Sequence, residues 1–164
     1  MIRYEEPIYR PPSEARSLIL QATIGCSTNS CAFCVAYQGK KFRVRKEADL
    51  FADIDWAAAE LPSVRRVFLA DGDALVLSVG KLSRILTRLY EKLPHLERVT
   101  TYGSPQNLAR KSVEQLRELK ELGLTMIYYG IESGDDEVLE RIVKRATAQE
   151  IIDAGVKPQQ AGID

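Results

Sequence analysis

The sequence is poor in the residues that protein metal sites use most, since it has one histidine, His95, and three cysteines. The cysteines all fall within nine residues of one another, unlike the even, dispersed cysteines of secreted disulfide scaffolds. Clustered thiols instead indicate metal or redox chemistry. Membrane-length apolar runs and a hydrophobic segment near Met1 are also absent. We therefore expect a cytoplasmic protein that does not act in a membrane.

A net charge is missing as well, because Lys plus Arg and Asp plus Glu each number 23. Without an excess of one sign, no long-range field attracts nucleic acid or a membrane surface. A local exception is a basic run around Phe42: Lys40, Lys41, Arg43, Arg45 and Lys46. We expect a solvated start of a helix here, and a nucleic-acid-binding patch is the alternative.

Strand-like and helix-like patterns alternate along the chain. Apolar runs predict strands at 17–25, 66–70, 98–102 and 125–131. Helical spacing and end signals predict helices at about 46–61, 79–93 and 112–122, then from Asp135 and from Thr147. Ser112 with Gln115, and Thr147 with Glu150, have the spacing of capping boxes. This alternation predicts an α/β fold of parallel β/α repeats.

The 164 residues fit one domain, with an irregular segment at 1–15. Four β/α units are too few to close a barrel, so we interpret the chain as part of a longer β/α protein. A complete four-unit protein is the alternative. In such folds ligands bind at the carboxyl ends of the strands, which makes the segments after each strand the candidate site.

The cysteines follow the first predicted strand, with four residues between Cys26 and Cys31 and two between Cys31 and Cys34. Thiolates are soft ligands that suit zinc or iron–sulfur clusters. A structural zinc site needs four protein ligands, and His95 falls at the opposite end of the predicted sheet. A cubane cluster on three thiolates leaves one iron open to bind a further ligand. We favour the cluster, with zinc or a group of small buried hydrophobes as alternatives.

Three clustered cysteines after the first strand, with Phe33 just before the last, resemble the radical S-adenosylmethionine (SAM) superfamily. The stretch from Leu18 to Arg45 is similar to a poorly characterised branch of it, although the usual cysteine spacing is three residues and then two. Residues 129–135 resemble the Gly-Ile/Leu-Glu-Ser-Gly segment of methylthiotransferase and coproporphyrinogen-oxidase-type cores. The resemblance implies part of a (β/α)6 partial TIM barrel, with four units present.

The same resemblance implies a [4Fe–4S] cluster on Cys26, Cys31 and Cys34, with SAM bound at the fourth iron. It implies an enzyme that receives an electron from a flavodoxin- or ferredoxin-type donor. Such an enzyme cleaves SAM to a 5′-deoxyadenosyl radical, which abstracts hydrogen from a substrate that the sequence does not identify. The candidate cofactor-binding residues at the strand ends are Phe33, Asp71, Gly72, Asp73, Ser104, Asn107, Glu132 and Ser133.

Each of these segments also has a plainer interpretation. Residues 71–73 are equally typical of a simple turn, and the segment around Ser104 is more typical of an ordinary loop. The Glu132 carboxylate could instead interact only with the dipole at the N-terminus of the following helix. At the level of function, the alternatives are a non-catalytic iron–sulfur or metal-binding fragment and an RNA-modifying radical SAM enzyme.

Overall fold

The structure is a computed structural model that describes residues 1–164. Its strands are β1 (Leu18–Gln21), β2 (Thr23–Ile24), β3 (Arg43–Val44), β4 (Arg66–Ala70), β5 (Arg98–Gly103) and β6 (Leu124–Tyr129). Its α-helices are α1 (Glu47–Glu60), α2 (Val79–Lys92), α3 (Pro105–Ala109), α4 (Val113–Glu121), α5 (Asp136–Arg141) and α6 (Ala148–Gln160). Two short 3₁₀ helices span Pro12–Glu14 and Ala74–Val76.

Four strands form a parallel sheet in the order β1-β4-β5-β6. The strand order follows the chain order, as successive right-handed β/α crossovers produce. Leu20 pairs with Leu69, and Val67 pairs with Val99, so that apolar side chains line one face of the sheet. The helices cover that face and bury it. The predicted α/β fold with four β/α units is thus confirmed, and the sheet does not close into a barrel.

The first predicted strand, 17–25, is wrong as a single strand. β1 ends at Gln21, and β2 leaves the sheet to pair antiparallel with β3, a strand that the sequence did not predict. Thr23 pairs with Val44 and Ile24 with Arg43. An apolar run could not reveal the break because the residues on both sides of it are buried.

Most helix ends follow the predicted signals. Ser112 with Gln115 and Thr147 with Glu150 form complete capping boxes, and the Asp135 carboxylate caps α5. One helix was missed: α3 begins after Ser104, which accepts a hydrogen bond from a backbone amide of the first turn. A serine cap followed by proline at the first helical position was the available signal.

The N-terminal segment, residues 1–17, lies on the sheet face opposite the helices. Glu14 is fully buried there and accepts hydrogen bonds from the Arg98 guanidinium at 2.6 Å and the Tyr128 hydroxyl at 2.7 Å. The Glu5 backbone exchanges two hydrogen bonds with the Gln21 side-chain amide. The segment predicted as irregular is therefore tied to three strands of the sheet.

Beyond α6 the chain returns to the edge of the sheet. The Asp164 amide donates to the Thr125 carbonyl at 3.1 Å, and the Ile127 amide donates to the Asp164 carbonyl at 2.8 Å. These two bonds pair Asp164 with β6. None of the helices combines the length and the apolar character that crossing a membrane requires.

Candidate functional site

A cavity of about 440 Å³ lies at the carboxyl ends of the parallel strands. Its wall contains all three cysteines together with residues that follow β4, β5 and β6. The same wall carries six aromatic side chains: Tyr9, Phe33, Tyr37, Tyr102, Tyr128 and Tyr129. This is the edge of the sheet at which α/β folds bind ligands, and where the sequence predicted the site.

The three thiols are free and partly buried in the cavity wall. No three His, Cys, Asp or Glu side chains converge closely enough to ligate one metal ion. His95 is exposed before β5, at the opposite end of the sheet. A donor set of three separated thiols with no fourth protein ligand fits a cubane cluster with an open iron, and it fits mononuclear zinc poorly.

The loop from Gly25 to Lys40 that carries the cysteines, here called the cysteine loop, is anchored at several points. The Asn29 side-chain amide donates to the Tyr37 carbonyl at 3.0 Å, which closes the loop on itself. The Ala32 amide donates to the Ile142 carbonyl at 2.8 Å, which attaches the loop to the residue after α5. The cysteines are therefore held between β2 and the residue that follows α5.

Burial acts on the thiols themselves. It raises the pKa of Cys26, although the backbone amides of Asn29 and Thr28 act in the opposite direction. Burial also raises the pKa of Cys31, and the positive charge of Lys144 partly offsets this. Both thiols are thus held protonated, so metal ligation at Cys26 and Cys31 must release protons.

The two aspartates after β4 do not line the cavity. One Asp71 oxygen accepts from the Lys40 ammonium and the Gly25 amide, both at 2.9 Å, and from Gln21 at 3.0 Å. Asp71 thereby links the start of the cysteine loop to its end, and this oxygen has no capacity left for a ligand. The glycine between the aspartates, Gly72, does reach the cavity.

Asp73 and Asn107 lie behind the cavity wall. Asp73 accepts from the amides of Leu75 and Ser104 and from the Asn107 side chain at 2.5 Å. Burial raises the pKa of Asp73, while the hydrogen bonds from Ser104 and Asn107 lower it. Of the candidates after β5, Ser104 alone lines the cavity, because Asn107 is turned toward Asp73 and Ser27.

After β6, Glu132 lines the cavity with a partner that the sequence analysis did not select. The ammonium of Lys144 lies 3.1 Å from a Glu132 carboxylate oxygen, and the Lys144 side chain is 8% exposed. Glu132 has a φ of 65°, a strained value for this residue that is typical of functional sites. Ser133 is not in the wall, and its hydroxyl accepts from the Asp135 amide.

Five aromatic residues of the wall were also missed: Tyr9, Tyr37, Tyr102, Tyr128 and Tyr129. The rings of Tyr9 and Tyr37 meet edge to face, with centroids 5.8 Å apart. Burial raises the pKa of Tyr37, whose hydroxyl has no hydrogen-bond partner. No sequence signal identified Tyr9, since it belongs to the N-terminal segment. Phe33, the predicted aromatic residue, lines the cavity and is half exposed.

The basic run is largely neutralised. Three of its five cations form ion pairs: Lys40 with Asp71, Arg43 with Glu5 and Arg45 with Asp53. Lys41 and Lys46 occur in none of the eight salt bridges of the chain. A phosphate-binding patch requires free cations. The pairing therefore favours the expected start of a helix over a nucleic-acid surface.

The amino-acid sequence is similar to a known protein family. Residues 20–164 match the model of the Radical SAM superfamily. The heme chaperone HemW of Lactococcus lactis subsp. lactis is 25% identical over 112 residues, which cover 67% of this chain and 29% of HemW.

Solved structures with the same fold include three enzymes. They are the cobalamin-dependent enzyme OxsB (TM-score 0.66, 19% identity, 23% of that chain), methylornithine synthase PylB (0.64, 12%, 42%) and coproporphyrinogen III oxidase HemN of Escherichia coli (0.62, 16%, 35%). Each match covers 90% of the present chain, which spans less than half of each of these proteins.

These comparisons agree with the geometry of the cavity. Enzymes of this superfamily bind a [4Fe–4S] cluster and SAM. Three thiols without a fourth protein ligand suit such a cluster, because they leave its fourth iron open for SAM. The family model covers β4, β5, β6 and the second half of β1, together with the cysteine loop and the Glu132–Lys144 pair. The chain belongs to the radical SAM superfamily.

Proposed function

We propose that this chain forms the cluster- and SAM-binding core of a radical enzyme. The observation that carries the proposal is the presence of three thiols, with no fourth protein ligand, in one cavity at the strand ends. When bound, the reduced cluster supplies the electron that cleaves SAM to methionine and a 5′-deoxyadenosyl radical, which takes a hydrogen atom from a substrate. A flavodoxin- or ferredoxin-type protein is the proposed electron donor.

Cys26, Cys31 and Cys34 would hold the cluster as thiolates. Their spacing is one residue longer than usual, and the additional length is supported by the bonds of Asn29 and Ala32 to the surrounding backbone. A loop that is already anchored loses less conformational entropy when it binds the cluster. We therefore infer that the loop with the additional residue is already ordered before the metal binds.

Glu132 and Lys144 would orient SAM. The amino acid part of SAM has a carboxylate and an ammonium group, and its ribose has two hydroxyls. The Lys144 ammonium suits the carboxylate, and the Glu132 carboxylate suits the hydroxyls or the ammonium. Gly130 leaves room beside them, since a Cβ there would lie 2.8 Å from a Glu132 oxygen and 3.1 Å from the Lys144 nitrogen.

The remaining wall would shape the cavity and exclude water. Phe33 presents a half-exposed ring next to Cys34, suited to contact a flat base. Gly72 and Ser104 contribute backbone and hydroxyl groups to the same wall. The tyrosines provide apolar ring surface, which keeps water from a reactive radical.

Cluster assembly tests the proposal directly. After reconstitution without oxygen, we expect about four iron and four sulfide per chain, and a paramagnetic cluster signal after reduction. Cys31→Ala should lose most of this iron, whereas Ser30→Ala, one residue away, should retain it. Iron-free wild-type protein, or full iron in Cys31→Ala, would contradict the proposal.

Catalysis requires a second measurement. Wild-type protein with its cluster, given SAM and dithionite, should release 5′-deoxyadenosine. A full cluster without this product would instead indicate a non-catalytic iron–sulfur module. The region that matches this chain covers 29% of HemW and 23% of OxsB.

A further inference from the structure

The segment after α5, residues 142–145, is held from two sides by hydrogen bonds to its backbone carbonyls, and we call it the Lys144 turn. The cysteine loop supplies donors to the first two carbonyls, through the Ala32 amide and the Ser30 hydroxyl. Gln106 in α3 supplies the donors to the last two, through its side-chain amide. The Lys144 turn therefore lies between the loop that carries the thiols and the helix that follows β5.

The backbone of the Lys144 turn is strained. The Lys144 amide donates to the Leu139 carbonyl at 2.9 Å. The Val143 amide donates to the Glu140 carbonyl at the same distance, which completes a Schellman motif at the end of α5. This motif needs a left-handed residue, usually glycine, at the position that Val143 occupies with a φ of 57°. Arg145 is left-handed too, with a φ of 58°. Such conformations persist only where the surrounding structure imposes them.

The Gln106 side chain has a fixed direction. Its amide nitrogen donates to the Lys144 carbonyl at 2.9 Å and to the Arg145 carbonyl at 3.0 Å. A reversed amide would turn its oxygen toward two carbonyl oxygens, so only this orientation is favourable. The Gln106 oxygen has no hydrogen-bond partner in the chain. The two bonds to the Lys144 turn are therefore the only hydrogen bonds of this side chain.

Lys144 is the member of the turn that reaches the cavity. It lines the cavity wall, as do Gln106 and Glu132, whereas the other three residues of the turn do not. Its ammonium lies 3.1 Å from a Glu132 oxygen, and its side chain is 8% exposed. A long side chain loses much conformational entropy when it is held in one position, so this position depends on a fixed backbone. Gln106 fixes that backbone at the carbonyl of Lys144 itself.

We propose that Gln106 is a positioning residue that holds the Lys144 ammonium in the cavity through the backbone of the Lys144 turn. The inference rests on the proposed function, in which Lys144 binds the SAM carboxylate. Without the two bonds from Gln106, the strained turn relaxes, and the ammonium occupies its binding position for only a fraction of the time. The apparent affinity for SAM falls by that fraction.

The test is equilibrium dialysis of SAM with cluster-loaded protein. Gln106→Met has a side chain of similar length without a donor, and it should weaken SAM binding about threefold to tenfold, the effect of a neutral hydrogen bond. Decarboxylated SAM lacks the group that Lys144 binds, so its affinity should not change. Gln149→Met is the matched control, because the Gln149 amide donates to Asp153 on the exposed surface of α6. It should leave both affinities unchanged.

Two double variants show whether Gln106 acts through Lys144. In the Lys144→Gln background, Gln106→Met should cause no further loss of SAM affinity, because the group that it positions is already absent. Val143→Asn should restore most of the affinity lost in Gln106→Met, because asparagine tolerates the left-handed conformation and so relieves the strain. Val143 is 39% exposed, so this change removes little packing. Thermal unfolding shows whether each variant retains its fold.

The outcomes are distinct. Equal SAM affinity in wild type and Gln106→Met would overturn the inference and leave the proposed function standing. Equal losses for SAM and decarboxylated SAM would overturn it too, since a general loosening of the cavity acts on both ligands. So would a full effect of Gln106→Met in the Lys144→Gln background, or a failure of Val143→Asn to restore affinity.

A variant that does not assemble the cluster has a substitute. Should Gln106→Met bind no cluster, Gln106→Glu takes its place, because a carboxylate cannot donate to the two carbonyls. Wild-type SAM affinity in Gln106→Glu would then overturn the inference. Wild-type protein that binds neither cluster nor SAM would refute the proposed function itself.

Discussion

At the scale of single residues, Gly72 is the glycine that packs against a cysteine. A Cβ at this position would lie 2.7 Å from the Cys26 Cβ and 2.8 Å from the Tyr37 ring. We expect Gly72→Ala to displace the cysteine loop, to lower the free energy of unfolding by about 1–3 kcal/mol and to reduce the iron bound. Urea denaturation and iron analysis measure the two effects.

Gly39 provides the control for this substitution. It belongs to the same loop, and a Cβ there would meet no heavy atom within 4 Å. Both substitutions restrict the unfolded chain equally, so their difference isolates the contact with Cys26 and Tyr37. Equal stability and equal iron in Gly72→Ala and Gly39→Ala would show that the close approach is unimportant.

Lys144 offers a second test at the residue scale. Its ammonium is nearly buried and has Glu132 as its partner in the cavity wall. If Lys144 binds the SAM carboxylate, Lys144→Gln should weaken SAM binding about tenfold to a hundredfold, the effect of one charged hydrogen bond. Equilibrium dialysis with cluster-loaded protein measures this, with the exposed Lys41→Gln as control. Unchanged affinity would remove Lys144 from the SAM site.

At the scale of elements, the buried carboxylate of Glu14 is one of the groups that attach the N-terminal segment to the sheet. Burial by itself raises the pKa of Glu14, but hydrogen bonds from Ser17 and Tyr128 and the charge of Arg98 outweigh it, so that the pKa lies below its ordinary value of 4.5. A lowered pKa means that the folded state favours the charged form. This stabilisation is complete above pH 4.5 and is lost as the pH falls further.

Glu14→Gln should therefore cost about 2 kcal/mol at neutral pH, since it removes a charged hydrogen bond. The difference in unfolding free energy between this variant and wild type should shrink between about pH 5 and pH 3. Urea denaturation across this range is the measurement, and Glu6→Gln, in the same segment, is the control. Parallel pH curves for wild type and Glu14→Gln would exclude Glu14 as the source of the effect.

Secondary structure elements were predictable to different degrees. The capping boxes at Ser112 and Thr147 specify helix starts through local hydrogen bonds, so sequence spacing was enough to find α4 and α6. α6 nevertheless continues through Pro158 to Gln160, a position at which the sequence left its end open. β3 escaped prediction because two exposed residues carry no periodicity, and its pairing with β2 arises only in the fold.

At the scale of the whole molecule, protection from hydrogen exchange should follow the sheet order. β4 and β5 have hydrogen-bonded neighbours on both sides, whereas β2 and β3 pair only with each other. We expect the amides of Arg66–Ala70 and Arg98–Gly103 to exchange most slowly, and those of Arg43–Val44 to exchange quickly. Hydrogen exchange measured by mass spectrometry tests this. Equal protection of β3 and β4 would contradict it.

The sequence by itself determined the parallel β/α fold and the clustering of the thiols, because both follow from local patterns: apolar periodicity and three cysteines on one loop. Only the tertiary structure decided which polar groups face the cavity. Lys144 and Tyr9 enter the wall, whereas Asp71 and Asp73 turn behind it toward Lys40 and Asn107. The physical reason is that side chains at a strand end can turn either way. The choice depends on partners that lie far apart in the chain and meet only when the sheet has formed.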